Sequence, residues 1–453
     1  MTKTEVLILG GGLAGLSTAY HLNRLGVSSL VVEKESRAGG LAGSFSQGGF
    51  TFDHTGHLLH LHDPYGKRLI LGLLKGNLAL HQRSSWIYSH GTYTRYPFQA
   101  NTHGLPERVI EECLVGFLKT LHSPQPPLGP RPTFRDWCLR RFGEGISRHF
   151  MFPYNEKLWR RPLSRMTTEW QGRFVPKPTA SEVLYGALTD QKKFFGYNAA
   201  FFYPLRGGIQ ALPDALAARL RPGQVKTSAR VLSVDLRKRT AVVGGLGGIS
   251  FERLVNTLPL PRFIDLARPW PEAVLRARSR LRHGSVYCLN LGVGRRVSDK
   301  HWIYFPEKRF PFYRVGFASN FSRANHPPQT SSLYIEVARR PEEKVELEGL
   351  EGSVLRGLRA CGLLRSSDRL LARLWVPIPC AYVVYDFDRT PAVETIFGRF
   401  RRLGLESIGR YGAWKYSFME ETILDGKACA ERLSGRRALR EPQEGELKPL
   451  KMV

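Results

Sequence analysis

Near its start the chain carries residues spaced to hold a phosphate. Gly10-Gly11-Gly12-Leu13-Ala14-Gly15 follows the apolar run Val6-Leu7-Ile8-Leu9 and opens a helical pattern ending near Gly26. Gly10 suits a tight turn, Gly12 lets backbone approach a pyrophosphate, and Gly15 lets helix and strand pack closely. The helix from Leu13 points its first amides, that of Ala14 among them, at the same anion. Glu33 ends the next apolar run, 21 residues after Gly12. A carboxylate there can accept both ribose hydroxyls of an adenosine and repels a 2′-phosphate. This set predicts an ADP-containing cofactor. A second group is His54, His57, His60 and His62. Strand alternation places His60 and His62 on one face and His57 on the other. No acid or cysteine cluster completes a ligand set, so the expectation is a polar lining beside a cofactor and no metal site.

The glycines continue after Glu33 and Lys34. Arg37-Ala38-Gly39-Gly40-Leu41-Ala42-Gly43-Ser44 resembles the second fingerprint of the FAD-dependent amine oxidase and protoporphyrinogen oxidase superfamily. The resemblance implies FAD. Lys34, Arg37, Gly40, Leu41 and Ala42 then run under its phosphates and ribityl chain.

Around these residues the pattern predicts an α/β protein. The expectation is a discontinuous Rossmann-type FAD-binding domain, an inserted helical domain and an antiparallel β-sheet substrate domain. Phe45 to Asp53 alternates as a hairpin around Gly48-Gly49. Ser85 to Gln99 reads as strand-turn-strand. Helices are predicted over Leu105–Leu121, from the Thr133-Phe134-Arg135-Asp136 cap through Trp159, over Met166–Gln171 and over Ser181–Gln191. The segment Pro124 to Pro132 reads as a loop. Phe201 to Gly208 leads back to the cofactor domain, and Gln210–Leu220 reads as helix. Ala229-Arg230-Val231 suits flanking an adenine, and Leu254–Pro259 is a buried strand of the parallel sheet. Ser285–Val293, Trp302–Phe305, Phe312–Ala318, Ser332–Val337 and Leu371–Val376 read as a second, antiparallel sheet, with a helix over Val345–Cys361. A last helix over Met419–Leu433, with Met419 and Ile423 in its first turns, would aim its N-terminus at a flavin. The expected boundaries are 1–84, 196–280 and 396–433 for the FAD-binding domain, 85–104 and 281–395 for the sheet, 105–195 for the helical insertion and 434–453 for a mobile tail.

The bulk properties exclude several classes. At 453 residues the chain holds two or three domains. Six scattered cysteines lack CxxC spacing, which suits reduced core thiols and a cytoplasmic enzyme. The longest apolar run, Leu69–Leu80, contains Lys75 and Asn77 and is too short to span a bilayer. The net charge of +28 is spread along the chain, without a basic tail or a nucleic-acid-binding motif. No nucleic acid is expected. A basic surface that steers a phosphorylated small molecule is the economical reading. Homo-oligomerisation is left open.

From Tyr96-Pro97-Phe98-Gln99-Ala100-Asn101 onward the chain resembles the flavin-dependent UDP-galactopyranose mutases, the eukaryotic type in particular. Thr133-Phe134-Arg135-Asp136-Trp137 is similar to their TFxxW, and Pro153-Tyr154-Asn155-Glu156-Lys157-Leu158-Trp159 to their PYNxKxW. Trp170–Val175, Asn198–Gly208 and Trp302-Ile303-Tyr304-Phe305-Pro306-Glu307 with Pro311-Phe312-Tyr313-Arg314 continue the likeness. The resemblance implies that Arg173 and Arg314 hold a substrate diphosphate, with Tyr304, Tyr382 and Tyr416 as hydroxyl donors. It puts Tyr96, Gln99 and Asn198 at the uridine, Trp159 and Trp302 beside the sugar, and His57 and Arg410 near the flavin. It implies a nucleotide-diphosphate sugar as substrate. It also implies reduced FAD, with NADPH or NADH as electron donor, whose N5 is the nucleophile in a redox-neutral pyranose–furanose interconversion. Two stretches depart from the family. Tyr416 runs into Ser417-Phe418-Met419-Glu420 in place of an asparagine-bearing segment, and Ala381-Tyr382-Val383 replaces a Tyr-Pro after glycine. An FAD oxidase or dehydrogenase of the protoporphyrinogen oxidase or amine oxidase type stays open as the alternative, and a non-catalytic FAD-binding scaffold as a third reading.

Overall fold

The computed structural model of the chain describes residues 1–122, 128–172, 174–196, 198–436 and 451–452. Its first sheet grows from Thr2–Leu9, whose Val6, Leu7, Ile8 and Leu9 are fully buried. Such a strand is covered on both faces and needs no alternation. It pairs in parallel with Ser29–Val32 on one side and Gly247–Asn256 on the other. The eight-stranded sheet extends outward to Val225–Lys226 at one edge and, through the antiparallel strands Thr240–Val243 and Val231–Asp235, to Ala267–Arg268 at the other. Glu406–Ser407 adds in parallel beside Gly247–Asn256, which returns the C-terminal part of the chain to this domain.

Helix Leu13–Arg24 follows the first strand, and helix Met419–Ser434 packs directly on it. The contact is close because Gly426 faces Ser17: a Cβ on Gly426 would stand 2.6 Å from the Ser17 Cβ. The Ser17 hydroxyl donates to the Ile423 carbonyl at 2.7 Å. The expected last helix is therefore present, anchored by the first one.

The second sheet has seven strands, in the order Leu370–Val383, His283–Val293, Ser331–Arg339, Arg314–Phe317, Trp302–Tyr304, Ser85–Ser89, Thr92–Arg95. The expected strands all lie in it. It departs from a purely antiparallel sheet at one place, where Trp302–Tyr304 pairs in parallel with Ser85–Ser89. One face is closed by helix Leu347–Ala360 through Leu350, Val354 and Leu358. Burying such side chains contributes roughly 1.5–3 kcal/mol each.

The helical insertion contains Glu107–His122, Phe134–Ile146, a π-helical turn Ser147–Met151, Phe152–Trp159 and Ala180–Leu188. Thr133 and Asp136 form the expected reciprocal cap. The expected helix over Met166–Gln171 is not formed. The Met166 carbonyl instead accepts from Phe134, and the Thr167 amide donates to the Tyr385 carbonyl, so that backbone is bound to other segments. Gln210–Leu220 forms only the shorter helix Ala211–Ala217. A helix not anticipated, Arg389–Leu403, crosses the expected boundary at 395/396 and packs on Glu272–Arg280. Much of the Pro124–Pro132 loop and most of the expected tail after Ser434 lie outside the described residues. Among the described residues no helix is long and apolar enough to cross a membrane.

Candidate active site

A cavity of about 1210 Å³ runs from the first glycine loop to the second sheet. It exceeds the roughly 300–1,000 Å³ usual for a small-molecule site, so there is space for a dinucleotide and a second ligand. Its two ends are built by different means.

At one end the wall is backbone. Gly10 has φ +102° and turns the chain, with its amide bound to the Val32 carbonyl at 2.9 Å. A Cβ on Gly15 would lie 2.0 Å from the Gly10 carbonyl oxygen, so only glycine lets the helix sit this close. A Cβ on Gly12 would meet no protein atom nearer than 4.0 Å; the space it faces is the cavity. The helix starting at Leu13 has no side-chain cap, so its first amides are free for an anion. Glu33, 7% exposed, accepts from the amides of Gly11 at 2.7 Å and Glu35 at 2.9 Å. Gly40, Leu41, Ala42, Lys34, Arg37, Ala229 and Val231 complete this wall. Arg37 also pairs with Asp214, which ties the second glycine run to helix Ala211–Ala217. A pyrophosphate on a helix N-terminus with an acid at ribose distance fits these residues. Gly15 and Ile423 lie outside the cavity wall: Gly15 serves helix packing, and Ile423, 0% exposed, is held in the core with its carbonyl on Ser17. Met419, by contrast, lines the cavity at the N-terminus of its helix, which likewise lacks a side-chain cap.

Between the ends stand His54, His57 and His60. The expected strand alternation is corrected here. After Asp53 the chain is irregular, with one bridge between Leu59 and Phe202, so His57 and His60 reach the same cavity while His62 does not. The amides of His62 and Asp63 donate to the Glu420 carboxylate at 2.9 and 3.1 Å, which staples this segment to the last helix. Burial, with His54 and Arg410 nearby, lowers His57 to about 3, so its imidazole is neutral at physiological pH. Burial lowers His60 to about 4. Among the described residues no group of three or more His, Cys, Asp or Glu is placed to hold a metal.

The other end is a chamber of side chains. Tyr96, Gln99, Tyr154, Trp170, Asn198, Trp302, Tyr304, Arg314, Tyr382, Arg410 and Tyr416 all line it. Aromatic rings interlock there: Tyr96 lies 5.1 Å from Tyr304, Tyr154 meets Tyr304 edge-on at 5.3 Å, and Tyr382 stacks on Tyr416 at 6.2 Å. The Arg410 guanidinium sits 5.0 Å from the Tyr416 ring centre and 5.3 Å from that of Tyr382. It donates to the carbonyls of Ser417 and Ala381, and among the described residues no carboxylate pairs with it. Arg314 differs. It forms a two-point pair with Glu336, Nε to Oε2 at 3.1 Å and Nη2 to Oε1 at 2.6 Å, and Glu336 is fully buried. Burial opposes the Arg314 charge most strongly, but the Glu336 carboxylate and the surrounding phenols of Tyr382, Tyr334 and Tyr313 together outweigh it and hold the guanidinium well above its ordinary pKa.

Among the described residues, several buried polar atoms of this chamber have no protein partner. They include Trp302 Nε1, Trp170 Nε1, Arg410 Nε, Tyr313 Oη and Gln99 Oε1. Unmade bonds of this kind cost about 1–3 kcal/mol each, which a ligand can recover. Donors outnumber acceptors. The acids that line the cavity, Glu33 and Glu35, both belong to the glycine end. Among the described residues, then, the chamber offers an anion many donors and offers no carboxylate for proton transfer.

Trp159 is corrected: it is 2% exposed and lies behind the wall, 4.9 Å from Trp170 and 5.8 Å from Tyr382. Its bulk is used to back these rings. Arg173 lies outside the described residues. Asn198 reaches the chamber but its Oδ1 is engaged by Arg83, whose guanidinium also lies 4.8 Å from the Tyr96 ring centre. Sequence reasoning missed Arg83, Glu336, Tyr334 and Tyr154. Glu336 left a signal: it is the lone acid in the strand Ser331–Arg339, set within the apolar run Leu333–Ala338, and its register partner is Arg314.

The sequence pattern of flavin containing amine oxidoreductases matches residues 13–434. The chain belongs to that family. It is an FAD-dependent member of the amine oxidase superfamily, and the glycine end of the cavity has residues that fit such a cofactor. Among solved structures it is similar to reduced UDP-galactopyranose mutase, with a TM-score of 0.91 and 27% identity over 97% of both chains. Among curated proteins it is 24% identical to the zeta-carotene-forming phytoene desaturase of Myxococcus xanthus, over 76% of this chain and 70% of that one. It is also 24% identical to the mitochondrial protoporphyrinogen oxidase of Nicotiana tabacum, over 51% of this chain and 50% of that one. The chain therefore spans about half the length of the latter relative.

Proposed function

We propose that this flavoenzyme is a mutase that interconverts pyranose and furanose forms of a nucleotide-diphosphate sugar. The observation that carries the reading is the donor-rich chamber beside the flavin cradle, with Arg314, Arg410 and the phenols of Tyr304, Tyr382 and Tyr416 facing one cavity. A diphosphate has many acceptors and two or more charges. Guanidinium groups bind it with paired, charge-assisted hydrogen bonds. The 27% identity to reduced UDP-galactopyranose mutase along 97% of the chain supports the same reading.

The bound flavin, when reduced, supplies a nucleophilic nitrogen without net oxidation of the sugar. The protein's share is then binding and orientation. Arg314 holds the leaving diphosphate. Its charge is offset by Glu336, so release is not blocked by an unopposed cation. Arg410, without a carboxylate partner among the described residues, supplies the net positive charge at the junction of flavin and substrate. Gln99, whose Oε1 has no partner among the described residues, accepts from a base N–H at the Tyr96 end of the chamber. His57 is neutral and contributes a polar contact without changing charge. Arg173 belongs to the reading as a second diphosphate ligand on sequence resemblance alone. The replaced segments after Tyr416 and around Tyr382 border the chamber, so the sugar or the nucleotide differs from the family's usual one.

The test uses the purified flavoprotein reduced with dithionite or NADPH and incubated with UDP-galactopyranose and other nucleotide sugars. The expected result is a redox-neutral ring contraction measured by product chromatography. A second reading, an FAD oxidase or dehydrogenase, is favoured by the apolar stretch Trp375-Val376-Pro377-Ile378 along the wall. Oxygen consumption with hydrogen peroxide release, and no ring contraction, would select it.

A further inference from the structure

Lys157 belongs to helix Phe152–Trp159 but does not enter the cavity. Its ammonium donates to three backbone carbonyls, those of Glu307 at 2.5 Å, Phe305 at 2.8 Å and Phe312 at 3.2 Å. Three donors meet three acceptors, which is all an ammonium can offer. The carbonyls belong to the turn that joins Trp302–Tyr304 to Arg314–Phe317. That turn therefore carries Tyr304 at one end and Arg314 at the other. The same helix sends Tyr154 into the chamber, edge-on to Tyr304. One side chain thus joins the helical insertion to the hairpin that bears a phenol and a guanidinium of the chamber. Burial pulls Lys157 down to about 7, opposed by the Glu307 carboxylate. A solvent-exposed lysine would hold its charge at less cost, so this one is retained for its three bonds.

We propose that Lys157 is a positioning residue of the substrate chamber, which fixes the reach of Tyr304 and Arg314 toward a bound diphosphate by tying their hairpin to helix Phe152–Trp159. The proposal takes its ligand from the nucleotide-sugar reading. A displacement of about 1 Å in a substrate-holding group is enough to change binding or rate by on the order of a hundredfold.

The experiment measures UDP affinity of the reduced holoprotein by tryptophan fluorescence, together with flavin content and Tm. Lys157→Met keeps length and loses all three donors; Lys157→Arg keeps donors. Val354→Ala, a cavity-forming change under the far face of the same sheet, is the stability control. The expected result is full flavin content in all three, UDP affinity weakened at least about tenfold in Lys157→Met, partial recovery in Lys157→Arg and none lost in Val354→Ala. Lys157→Gln, with two donors, takes the place of Lys157→Met if the latter does not fold. Unchanged UDP affinity in the Met or Gln variant overturns the proposal, as does an equal loss in Val354→Ala. A wild-type protein that keeps its flavin and binds none of UDP, ADP, GDP and dTDP overturns the nucleotide-sugar reading and the positioning role with it; if one of the others binds in place of UDP, the variants are compared with that nucleotide.

Discussion

The glycine cradle and the aromatic chamber share one cavity but are held together differently. The cradle is backbone: Gly10, Gly12 and Gly15 shape one turn, the amides of Leu13 and Ala14 stand uncapped, and Glu33 is fixed by two amides from its own neighbourhood. The chamber is side chain: Tyr96, Tyr304, Arg314, Tyr382, Arg410 and Tyr416 come from both sheets' surroundings and are held by rings, one buried ion pair and carbonyl contacts. A backbone site tolerates almost no change at its few glycines and is indifferent elsewhere. A side-chain site divides its energy among many groups, each replaceable at a graded cost.

The largest effects should fall in the cradle, and they should separate into two kinds. Gly15→Ala puts a Cβ 2.0 Å from the Gly10 oxygen and is expected to prevent folding of the domain. A Cβ at Gly12 meets no protein atom nearer than 4.0 Å and faces the cavity, so the Gly12→Val apoprotein should fold, with cooperative melting, and emerge colourless. A yellow Gly12→Val protein would show that the pyrophosphate does not lie over Gly12.

In the chamber the largest effect belongs to Arg314. Truncation to alanine leaves the fully buried Glu336 without its partner, which costs about 3–5 kcal/mol. Arg314→Ala is therefore expected to lose both Tm and UDP affinity. The double variant Arg314→Gln/Glu336→Gln should regain most of the Tm and none of the affinity. If affinity returned as well, Arg314 would be a structural half of an ion pair and no part of a clamp.

The same contrast explains what could be read from residues alone. The cradle is contiguous, and its requirement is steric, so spacing names Gly10, Gly12, Gly15 and Glu33 directly. The buried run Val6–Leu9 and the buried end of Gly247–Asn256, from Leu254 onward, are legible for a related reason, since apolar runs need no partner to be recognised. The chamber was reached only where long motifs resemble a known family. Glu336 was passed over because a lone acid in a strand says nothing of the arginine that lies opposite it in another. Trp159 was placed in the wall on type and motif, but a helix face one residue away supplies Leu158 in its stead. The histidine segment was misread because the tertiary staple to Glu420 overrides strand alternation. The helix expected over Met166–Gln171 failed because its backbone is bound by Phe134 and Tyr385.

Each region rests on a buried neutral histidine, which predicts a shared response to acid. His21, on the cradle helix, bonds Tyr65 Oη and the Ser17 carbonyl, and burial lowers it to about 4. His301, beside Trp302 under the chamber, is likewise lowered by burial to about 4. Below the ordinary value near 6.5 the unfolded chain takes up protons that these folded histidines refuse. Stability therefore falls as pH drops from about 6.5 to about 4, by up to about 1.4 kcal/mol per histidine per pH unit. Asp53 acts against this: burial raises it to about 6, so the folded state protonates first and gains stability as pH falls from there. With His57 and His60, which burial lowers to about 3 and about 4, four histidines outweigh that carboxyl, and Tm should decline across the window. His301→Gln should make that decline shallower. A Tm that is flat or rises between pH 6.5 and 4.5 would contradict the assignment of neutral histidines to both regions.

The smallest effect tests the graded character of the chamber. Tyr416→Phe removes a hydroxyl and keeps the ring, so the Arg410 contact at 5.0 Å, the Phe174 edge at 4.6 Å and the stack on Tyr382 persist. The backbone bond from the Tyr416 amide to Tyr385 Oη is also untouched. Tm and flavin content should stay at wild-type values. What is lost is one hydrogen bond to a charged ligand, worth roughly 1.5–3 kcal/mol, or about ten- to a hundredfold in affinity. UDP should lose that much and uridine, which lacks the diphosphate, should lose nothing. Equal losses for UDP and uridine would move the Tyr416 hydroxyl to the nucleoside end of the chamber. No loss for either would leave Tyr416 only its ring, as a wall for Arg410, and would shift the diphosphate toward Tyr304 and Arg314.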